Sequence, residues 1–458
     1  MKLTVKNLGA VSHAEVDLDK NLLIFTGENN TGKTYLVYSV YQLYNLSNSV
    51  SGEAPSPLEG YATVKPEKNF EFNLLDIISD KSEYLSDLQK FISKSMQIQL
   101  ADFFSTSIDM FANTSIDFQL NKISIQEQDV LAADTLIFGE DDTASKSEGS
   151  PNIIFHSNFN EEDENYYDLE KDITDFVKDT VFDLVRDILF NRSFIFPAER
   201  EGINLFNKEL LLFRNKVFEK LISDRKQKQE LTDFMRTRFS RYPEPIRDAL
   251  NQHNNYDVLK TKTGDFAHLA NELEDTFLRG NVQMNTEGDL LFKPKNLNKA
   301  LDIHLTSSTV KSLSSLIIYL RHKAQKGDLI IIDEPEFNLH PDNQRKIARF
   351  LGRLINEGFK VIISTHSDYI MRELNNLIML SHGMQVKKKE TQHLLKEYKY
   401  NQNELIAAEQ VDVHLFRVGQ PVENVVVTET GFNIATIDEE IRKLNQSSQD
   451  IYLTLFDA

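Results

Sequence analysis

With 458 residues and 40% hydrophobic content, the chain has enough material for one large domain or two to three ordinary ones with a real core. It has no cysteine, which excludes disulfides, thiol catalysis and thiolate zinc sites. Its formal net charge of −19 opposes the phosphate neutralisation on which a nucleic-acid clamp depends, so we expect direct DNA binding to be weak or absent.

The N-terminus shows no targeting or membrane signal. It lacks the hydrophobic stretch of a signal peptide, and no apolar run approaches the roughly 18 residues that a membrane-spanning helix needs. We therefore expect a cytoplasmic protein without membrane segments. Residues 2–5, 14–18 and 22–25 instead predict three successive strands joined by short turns.

Residues 27–34 read GENNTGKT, a complete GxxxxGK(S/T) phosphate loop between the third strand and a predicted helix that begins at Tyr35. Glycine permits the backbone to approach phosphate closely, so that successive N–H groups and the helix N-terminus face the anion. We expect Lys33 to reach the β- and γ-phosphates of ATP and the Thr34 hydroxyl to bind Mg²⁺. The predicted nucleotide-binding residues of the loop are Gly27, Asn29, Asn30, Thr31, Gly32, Lys33 and Thr34.

A long segment follows the first helix. It shows helical patterning at 83–105 and 167–189 and strand-like alternation at 116–125. Acidic runs within residues 139–170 lie among Ser, Gly and Asn, which predicts solvated or partly disordered loops. An acidic surface for a basic partner, or a DNA mimic, is the alternative.

Basic residues outnumber acidic ones in residues 214–241, which we call the basic arm. Apolar residues in the same region predict a helix. The basic arm is the best candidate in the sequence for contact with nucleic acid or a protein partner. The alternative is an ordinary solvated helix face.

The strand predicted at 329–332 is a continuous apolar run that ends in Asp333 and Glu334. A carboxylate at the C-terminal end of a strand can hold the Mg²⁺ that bridges the phosphates, and we assign this role to Asp333. We assign the polarisation of the attacking water to Glu334. An amphipathic helix follows, and a further strand at 359–365 then runs to His366.

Ser307 and Ser308 lie shortly before this region and precede apolar residues at helical spacing, so they can cap a helix. In the tail, residues 425–427 are strand-like and residues 437–444 predict a helix.

The order of these features resembles that of ABC ATPase heads, including the SMC and RecF types: phosphate loop, long insertion, signature helix, Asp-Glu strand, and a strand ending in histidine. Ser307-Ser308-Thr309 resembles the Ser-Ser-Gly signature of the OLD-like ATPases (overcoming lysogenisation defect), with threonine in place of glycine. The Pro-Ala-Glu-Arg segment at 197–200 and a hairpin at 280–294 also look like that group. The resemblance covers roughly residues 1–45, 185–205 and 280–455.

The resemblance implies an α/β fold, an ABC-type P-loop ATPase head with a mixed β-sheet, N-terminal antiparallel strands and a helical insertion or arm. It places His366 as the switch histidine, catalytic together with Lys33 and Glu334. It also implies that Ser307 and Ser308 of one protomer cover the ATP of another, which requires a homo-oligomer of at least two chains. The predicted parts are the N-terminal head at 1–49, an insertion with acidic loops at 50–184, a head strand at 185–205, a helical arm at 206–279 and the C-terminal head at 280–458.

Three functions remain open. The leading hypothesis is the ATPase subunit of a bacterial anti-phage system, similar to those of PARIS and Septu, that responds to a phage trigger and controls a separately encoded effector, expected to be a nuclease. The second is a RecF- or SMC-like DNA-repair ATPase acting directly on DNA. The third is a nuclease in its own right, although only about 90 residues follow His366, too few for the TOPRIM domain of OLD nucleases beside the end of the head.

Overall fold

A computed structural model describes most of the chain. It describes residues 1–46, 69–73, 75, 83–120, 127–132, 135–138, 142–157, 166–206, 242–254, 263–285 and 289–456. The basic arm and the acidic run at 161–164 lie outside these residues, so the predictions about them stay predictions.

The described residues alternate between strands and helices. The strands are β1 (Lys2–Leu8), β2 (Val11–Asp17), β3 (Leu22–Gly27), β4 (Asn69–Asn73), β5 (Ser115–Gln119), β6 (Thr135–Phe138), β7 (Asp142–Lys146), β8 (Asn152–Ser157), β9 (Ser193–Phe196), β10 (Gly280–Met284), β11 (Leu290–Pro294), β12 (Leu301–Asp302), β13 (Leu329–Asp333), β14 (Lys360–Thr365), β15 (Val411–Phe416) and β16 (Glu423–Val425). The helices are α1 (Lys33–Tyr44), α2 (Glu83–Phe103), α3 (Glu127–Ala132), α4 (Tyr166–Leu189), α5 (Glu244–Asn254), α6 (Ala267–Leu273), α7 (Ser308–His322), α8 (Pro341–Asn356), α9 (Asp368–Val386), α10 (Lys388–Tyr398) and α11 (Ala435–Phe456). A helical segment also covers residues 200–206, and shorter helical turns lie between the larger elements.

A six-stranded sheet forms the centre of the fold, in the order β16-β15-β3-β14-β13-β9. The strands from β15 to β9 are parallel, and β16 pairs antiparallel with β15 at one edge. Every residue of β3 and β13 is buried, as expected for parallel strands covered on both faces. The carboxyl ends of β3, β13 and β14 therefore meet at one edge of the sheet.

Two hydrophobic cores pack against the two faces of this sheet. Along β3, Leu23 and Phe25 belong to the first core, whereas Leu22 and Ile24 belong to the second. This alternation follows from the period of two in a strand. The first core contains residues of α1, α2 and α4, and the second contains residues of α7, α8 and α9.

A second, antiparallel sheet in the order β2-β1-β5 adjoins the first core. Strand β5 comes from the predicted insertion, about 110 residues along the chain from β1, and pairs with β1 in register. The outer edge of β5 forms hydrogen bonds to side chains of a helix. The Phe118 N–H donates to Ser93 Oγ at 2.9 Å and the Leu120 N–H donates to Gln89 Oε1 at 2.7 Å, both on α2.

Two smaller antiparallel sheets complete the described fold, in the orders β10-β11-β12 and β4-β8-β7-β6. The hairpin predicted at 280–294 is confirmed by the pairing of β10 with β11. The predicted N-terminal strands and the helices at 83–105 and 167–189 are confirmed by β1, β2, β3, α2 and α4.

The tail differs from its prediction. The strand predicted at 425–427 lies two residues earlier, at β16, because pairing with β15 sets Glu423 opposite Leu415 and Val425 opposite Val413. Val426 is 78% exposed and lies outside the ladder. The helix predicted at 437–444 is part of the much longer α11.

Candidate nucleotide-binding site

The phosphate loop connects β3 to α1, as predicted. Gly27 has φ +128°, and a Cβ there would lie 2.0 Å from the carbonyl oxygen of Phe416, so the position accepts only glycine. The Glu28 N–H donates to that same carbonyl at 3.1 Å, which fixes the start of the loop against β15. Asn30 also has a positive φ, and the resulting curvature suits a chain of N–H groups that face an anion.

Lys33 lies at the start of α1 and reaches back into the loop. Its Nζ donates to the carbonyls of Gly27 at 3.2 Å and Glu28 at 2.6 Å. Burial lowers the pKa of Lys33 to about 8, against the opposing pull of the nearby carboxylates, Glu334 first among them. The ammonium is thus held where the phosphates of a nucleotide would meet the loop.

Thr34 and Asp333 bring two oxygen ligands together at the end of β13. The Thr34 hydroxyl lies 3.4 Å from Asp333 Oδ2, and the Ser364 hydroxyl donates to Asp333 Oδ1. Burial raises the pKa of Asp333, while the Ser364 hydrogen bond acts in the opposite direction. Hydroxyl and carboxylate oxygens are ligand types that Mg²⁺ accepts, so the pair fits the predicted metal position.

Glu334 and His366 face each other across the ends of β13 and β14. His366 Nε2 lies 3.6 Å from Glu334 Oε1, and each side chain is about one third exposed, at 33% and 35%. The nearby His366 imidazole is the main cause that lowers the pKa of Glu334. Glu334 is therefore an anion that water can reach.

Glu336 is a third carboxylate at this edge that the sequence analysis did not single out. Its Oε1 accepts hydrogen bonds from the Thr365 hydroxyl at 2.8 Å and from the His366 N–H at 2.6 Å. Its Oε2 is buried without a hydrogen-bond partner, and burial raises the pKa of Glu336. Glu336 thus holds the backbone of His366, the residue that faces Glu334. The feature of the sequence that could have indicated Glu336 is its position two residues after Glu334.

Arg200 was also not predicted as a site residue, although the Pro-Ala-Glu-Arg segment had been noted. Its guanidinium is buried and donates to the carbonyls of Asp333 at 2.7 Å and Glu334 at 2.8 Å. Burial lowers the pKa of Arg200, and the nearby carboxylates oppose this. An arginine remains charged under such conditions.

Ser307 and Ser308 lie apart from this cluster. Ser307 is exposed and caps α7, accepting a hydrogen bond from the Val310 N–H at 3.4 Å. Within the described residues, no hydrogen bond joins either serine to the loop or to the carboxylates. The structure therefore brings together the phosphate loop, Asp333, Glu334 and His366, and leaves the end of α7 on the surface.

A cleft of about 720 Å³ opens beside the loop. Gly27, Glu28 and His366 line one side, and Glu439 and Lys443 of α11 line the other. Part of this helix was predicted at 437–444, but nothing in the sequence indicated that it lies near the site.

The loop between β3 and α1, with carboxylates of β13 at the same sheet edge, defines the class of P-loop ATPases. A family model for the AAA ATPase domain, AAA_15, matches residues 1–371, and the chain belongs to this family. The protein is therefore an ATPase of this family, and the predicted α/β P-loop fold and ATP hydrolysis are confirmed. Membership of an ATPase family implies ATP as the nucleotide and, typically, Mg²⁺ as its ion.

Two curated relatives match a short part of the chain. EcfA of Carboxydothermus hydrogenoformans, an energy-coupling factor transporter ATP-binding protein, is 34% identical over 85 residues, 18% of this chain and 32% of that protein. EcfA2 of Mycoplasma mobile, which has the same description, is 32% identical over 84 residues, 18% of this chain and 27% of that protein. The chain spans about a third of the length of these relatives.

Solved structures of SMC heads are similar to the chain over most of its length. The Smc head bound to the C-winged helix domain of ScpA has 11% identity and a TM-score of 0.35, covering 93% of this chain and 98% of that chain. The Pyrococcus furiosus Smc head with an extended coiled coil has 12% identity and a TM-score of 0.33, covering 96% and 98%.

Among the described residues, no helix combines the length and apolar character needed to cross a bilayer.

Proposed function

We propose that the chain is the ATP-binding and ATP-hydrolysing subunit of a bacterial anti-phage defence complex, in which it responds to a phage trigger and controls a separately encoded effector, expected to be a nuclease. The resemblance of Ser307-Ser308-Thr309 and of residues 197–200 to OLD-like ATPases supports this assignment. The net charge of −19 also supports it, because such a charge disfavours an enzyme that acts directly on DNA.

The observation that carries the chemistry is the cluster of Thr34, Asp333, Glu334 and His366 at one sheet edge. Thr34 and Asp333 would hold Mg²⁺, which neutralises charge on the β- and γ-phosphates when bound. Lys33 and the N–H groups of the loop would bind the same phosphates. The site thus has a binding part and a hydrolytic part on adjacent strands.

Glu334 is the candidate general base. Its pKa lies below the ordinary value of 4.5, so the group is anionic at neutral pH, and its partial exposure lets water approach the carboxylate. His366 would hold the carboxylate in place, and Glu336 would hold His366 through its backbone N–H.

Copurification with the product of the neighbouring gene tests the defence assignment. We expect a stable complex in which the effector's nuclease activity depends on the ATPase. Lys33→Ala should abolish this control, because ATP binding requires the ammonium. Lys20→Ala is the matched control, because this half-buried lysine lies at the opposite end of β3 and donates to the Glu409 carbonyl. A neighbouring nuclease that neither binds the ATPase nor changes its activity in its presence would contradict the proposal.

A second candidate, a RecF- or SMC-like DNA-repair ATPase, is favoured by the basic arm. The two candidates differ in DNA affinity. For the defence subunit we expect no better than the nonspecific range of about 10⁻⁴ to 10⁻⁶ M at physiological salt. A nanomolar complex of this chain alone, whose salt slope flattens by about one unit per neutralised residue of the basic arm, would favour repair.

A further inference from the structure

Arg200 begins the helical segment at 200–206, directly after the turn that ends β9. Its side chain makes four hydrogen bonds, with Nε to Ser312 Oγ at 2.9 Å, Nη1 to Pro197 O at 3.1 Å, Nη1 to Asp333 O at 2.7 Å and Nη2 to Glu334 O at 2.8 Å. One rigid guanidinium fork therefore joins the end of β9, the end of β13 and helix α7.

The backbone that Arg200 binds has an unusual conformation. Glu334 has φ +50°, which a residue with a side chain rarely adopts. Its N–H donates to Ser364 on one side, and its carbonyl accepts from Arg200 on the other. The direction of the Glu334 carboxylate depends on this conformation, because Cβ is attached to the same backbone.

Neighbouring residues of the segment strengthen the same connection. Asn204 donates to the Lys311 carbonyl and accepts from the Ser315 hydroxyl, both at 2.6 Å, and both partners are on α7. Glu201 accepts from the Asn338 amide at 2.6 Å, just beyond β13. Residues 200–206 thus tie α7 to the turn after β13 at several points.

We propose that Arg200 is a positioning residue for ATP hydrolysis, which holds the Asp333–Glu334 turn so that the Glu334 carboxylate is aimed at the attacking water. The inference rests on the proposed role of Glu334 as general base. Arg200 also binds Ser312 on α7. A displacement of α7 would therefore be transmitted to Glu334 by the Arg200 side chain. Arg200 would act on the hydrolytic step and not on nucleotide binding, since none of its four bonds reaches the phosphate loop.

The test is Arg200→Lys, which keeps the buried charge and loses the fork. We expect ATP affinity to stay within about threefold and kcat to fall about 10²-fold, the effect of a misplaced catalytic group. The matched control is Arg192→Lys. Arg192 donates to the Asp328 carboxylate from Nε at 3.0 Å and from Nη2 at 2.8 Å, at the opposite end of β9 and β13. Its replacement should therefore leave kcat within about threefold of the wild-type value.

A double-mutant cycle separates positioning from general damage to the fold. In a Glu334→Gln background, Arg200→Lys should lower the residual rate by less than about threefold, because the carboxylate it positions is already gone. An equal loss of rate in both backgrounds, or an unchanged kcat for Arg200→Lys alone, would overturn the proposal. Wild-type turnover of Glu334→Gln alone would instead overturn the base assignment.

Ser312→Ala provides a second test of the proposal if Arg200→Lys does not fold. It keeps Arg200 and removes only the acceptor on α7, so we expect a fall in kcat of about tenfold with ATP affinity retained. This fall should also disappear in the Glu334→Gln background. A fall of the same size in both backgrounds would count against the connection between α7 and Glu334.

Discussion

At the residue scale, the charges in the site are set by a few close neighbours. Burial raises the pKa of Asp333, whereas the nearby His366 imidazole lowers the pKa of Glu334 one residue later. The two carboxylates therefore lie in different electrostatic surroundings although they are adjacent in sequence. We therefore expect substitutions of Asp333 and of Glu334 to impair the enzyme in different ways.

Replacement of the candidate base tests this division. Glu334→Gln should retain ATP binding and lower hydrolysis by about 10²-fold or more, within the range for general-base groups. Lys33→Ala should instead lose binding and activity together. The measurements are nucleotide titration and phosphate release, with Glu357→Gln at the end of α8 as a control. Unchanged turnover of Glu334→Gln would remove this residue from the role of base.

The pH dependence of ATP binding tests Lys33. Because the pKa of Lys33 is about 8, its ammonium loses its proton as the pH rises through that value. We expect the Kd for Mg·ATP to be flat below about pH 8 and to rise by up to about tenfold per pH unit above it. Titrations between about pH 7 and 9.5 measure this, and Lys33→Arg should stay flat because arginine keeps its charge.

The lowered pKa of Lys33 affects the stability of the fold in the opposite direction to ATP binding. The ordinary lysine pKa of 10.5 applies to the unfolded chain, so between pH 8 and 10.5 the unfolded chain binds more protons at Lys33 than the folded chain does. The contribution of Lys33 to the free energy of unfolding therefore rises with pH in this window, while ATP affinity falls. A wild-type Kd that does not change up to about pH 9.5 would contradict the pKa of Lys33.

At the element scale, close backbone approaches decide which positions tolerate a side chain. Gly352 lies inside α8, and a Cβ there would lie 2.0 Å from the Glu404 carbonyl oxygen. Gly202 lies in the helical segment 200–206, and a Cβ there would meet no atom of the described residues within 4 Å. The two glycines therefore form a matched pair in helical backbone.

Alanine at these two positions should have opposite effects. Gly202→Ala should raise the free energy of unfolding by up to about 1 kcal/mol, because alanine favours helix over glycine. Gly352→Ala should lower it by about 1 to 3 kcal/mol, because overpacking against the Glu404 carbonyl outweighs that gain. Denaturant unfolding of both variants measures the difference. Equal stability gains would show that α8 can shift away from residue 404 without cost.

Local patterns predicted the elements that carry the site, whereas distant contacts could not be predicted. The all-apolar β13 and the loop motif before Lys33 have signals within a few residues of sequence. Arg200 acts on backbone groups 133 and 134 residues away, which no local pattern encodes. The same holds for β5, whose pairing with β1 depends on the packing of α2, and for β16, whose register is set by β15.

At the scale of the whole molecule, the exposed N-terminus of α7 is the feature that points beyond one chain. In heads of the kind that the sequence resembles, this segment of one protomer covers the nucleotide of the other. Ser307 is exposed at the start of α7 and makes no hydrogen bond to the described loop residues, which fits such a role. We therefore expect the active form to be at least a dimer.

Sedimentation tests the dimer. Glu334→Gln protein with ATP and Mg²⁺ should sediment as a dimer, because blocked hydrolysis preserves the nucleotide that joins the protomers. Lys33→Ala under the same conditions should sediment as the smaller species. If Glu334→Gln with ATP stays monomeric, the proposed role of Ser307 and Ser308 is wrong.

The contact between Gly27 and Phe416 has a consequence for synthesis on the ribosome. The Glu28 N–H of the loop binds the carbonyl of Phe416 at the end of β15, some 390 residues later in the chain. Parallel strands so far apart in sequence pair slowly, because a long loop must close before the contact is gained. A nascent chain therefore carries an unfinished phosphate loop until β15 has been translated, and ATP can stabilise the folded chain only after β15 has emerged.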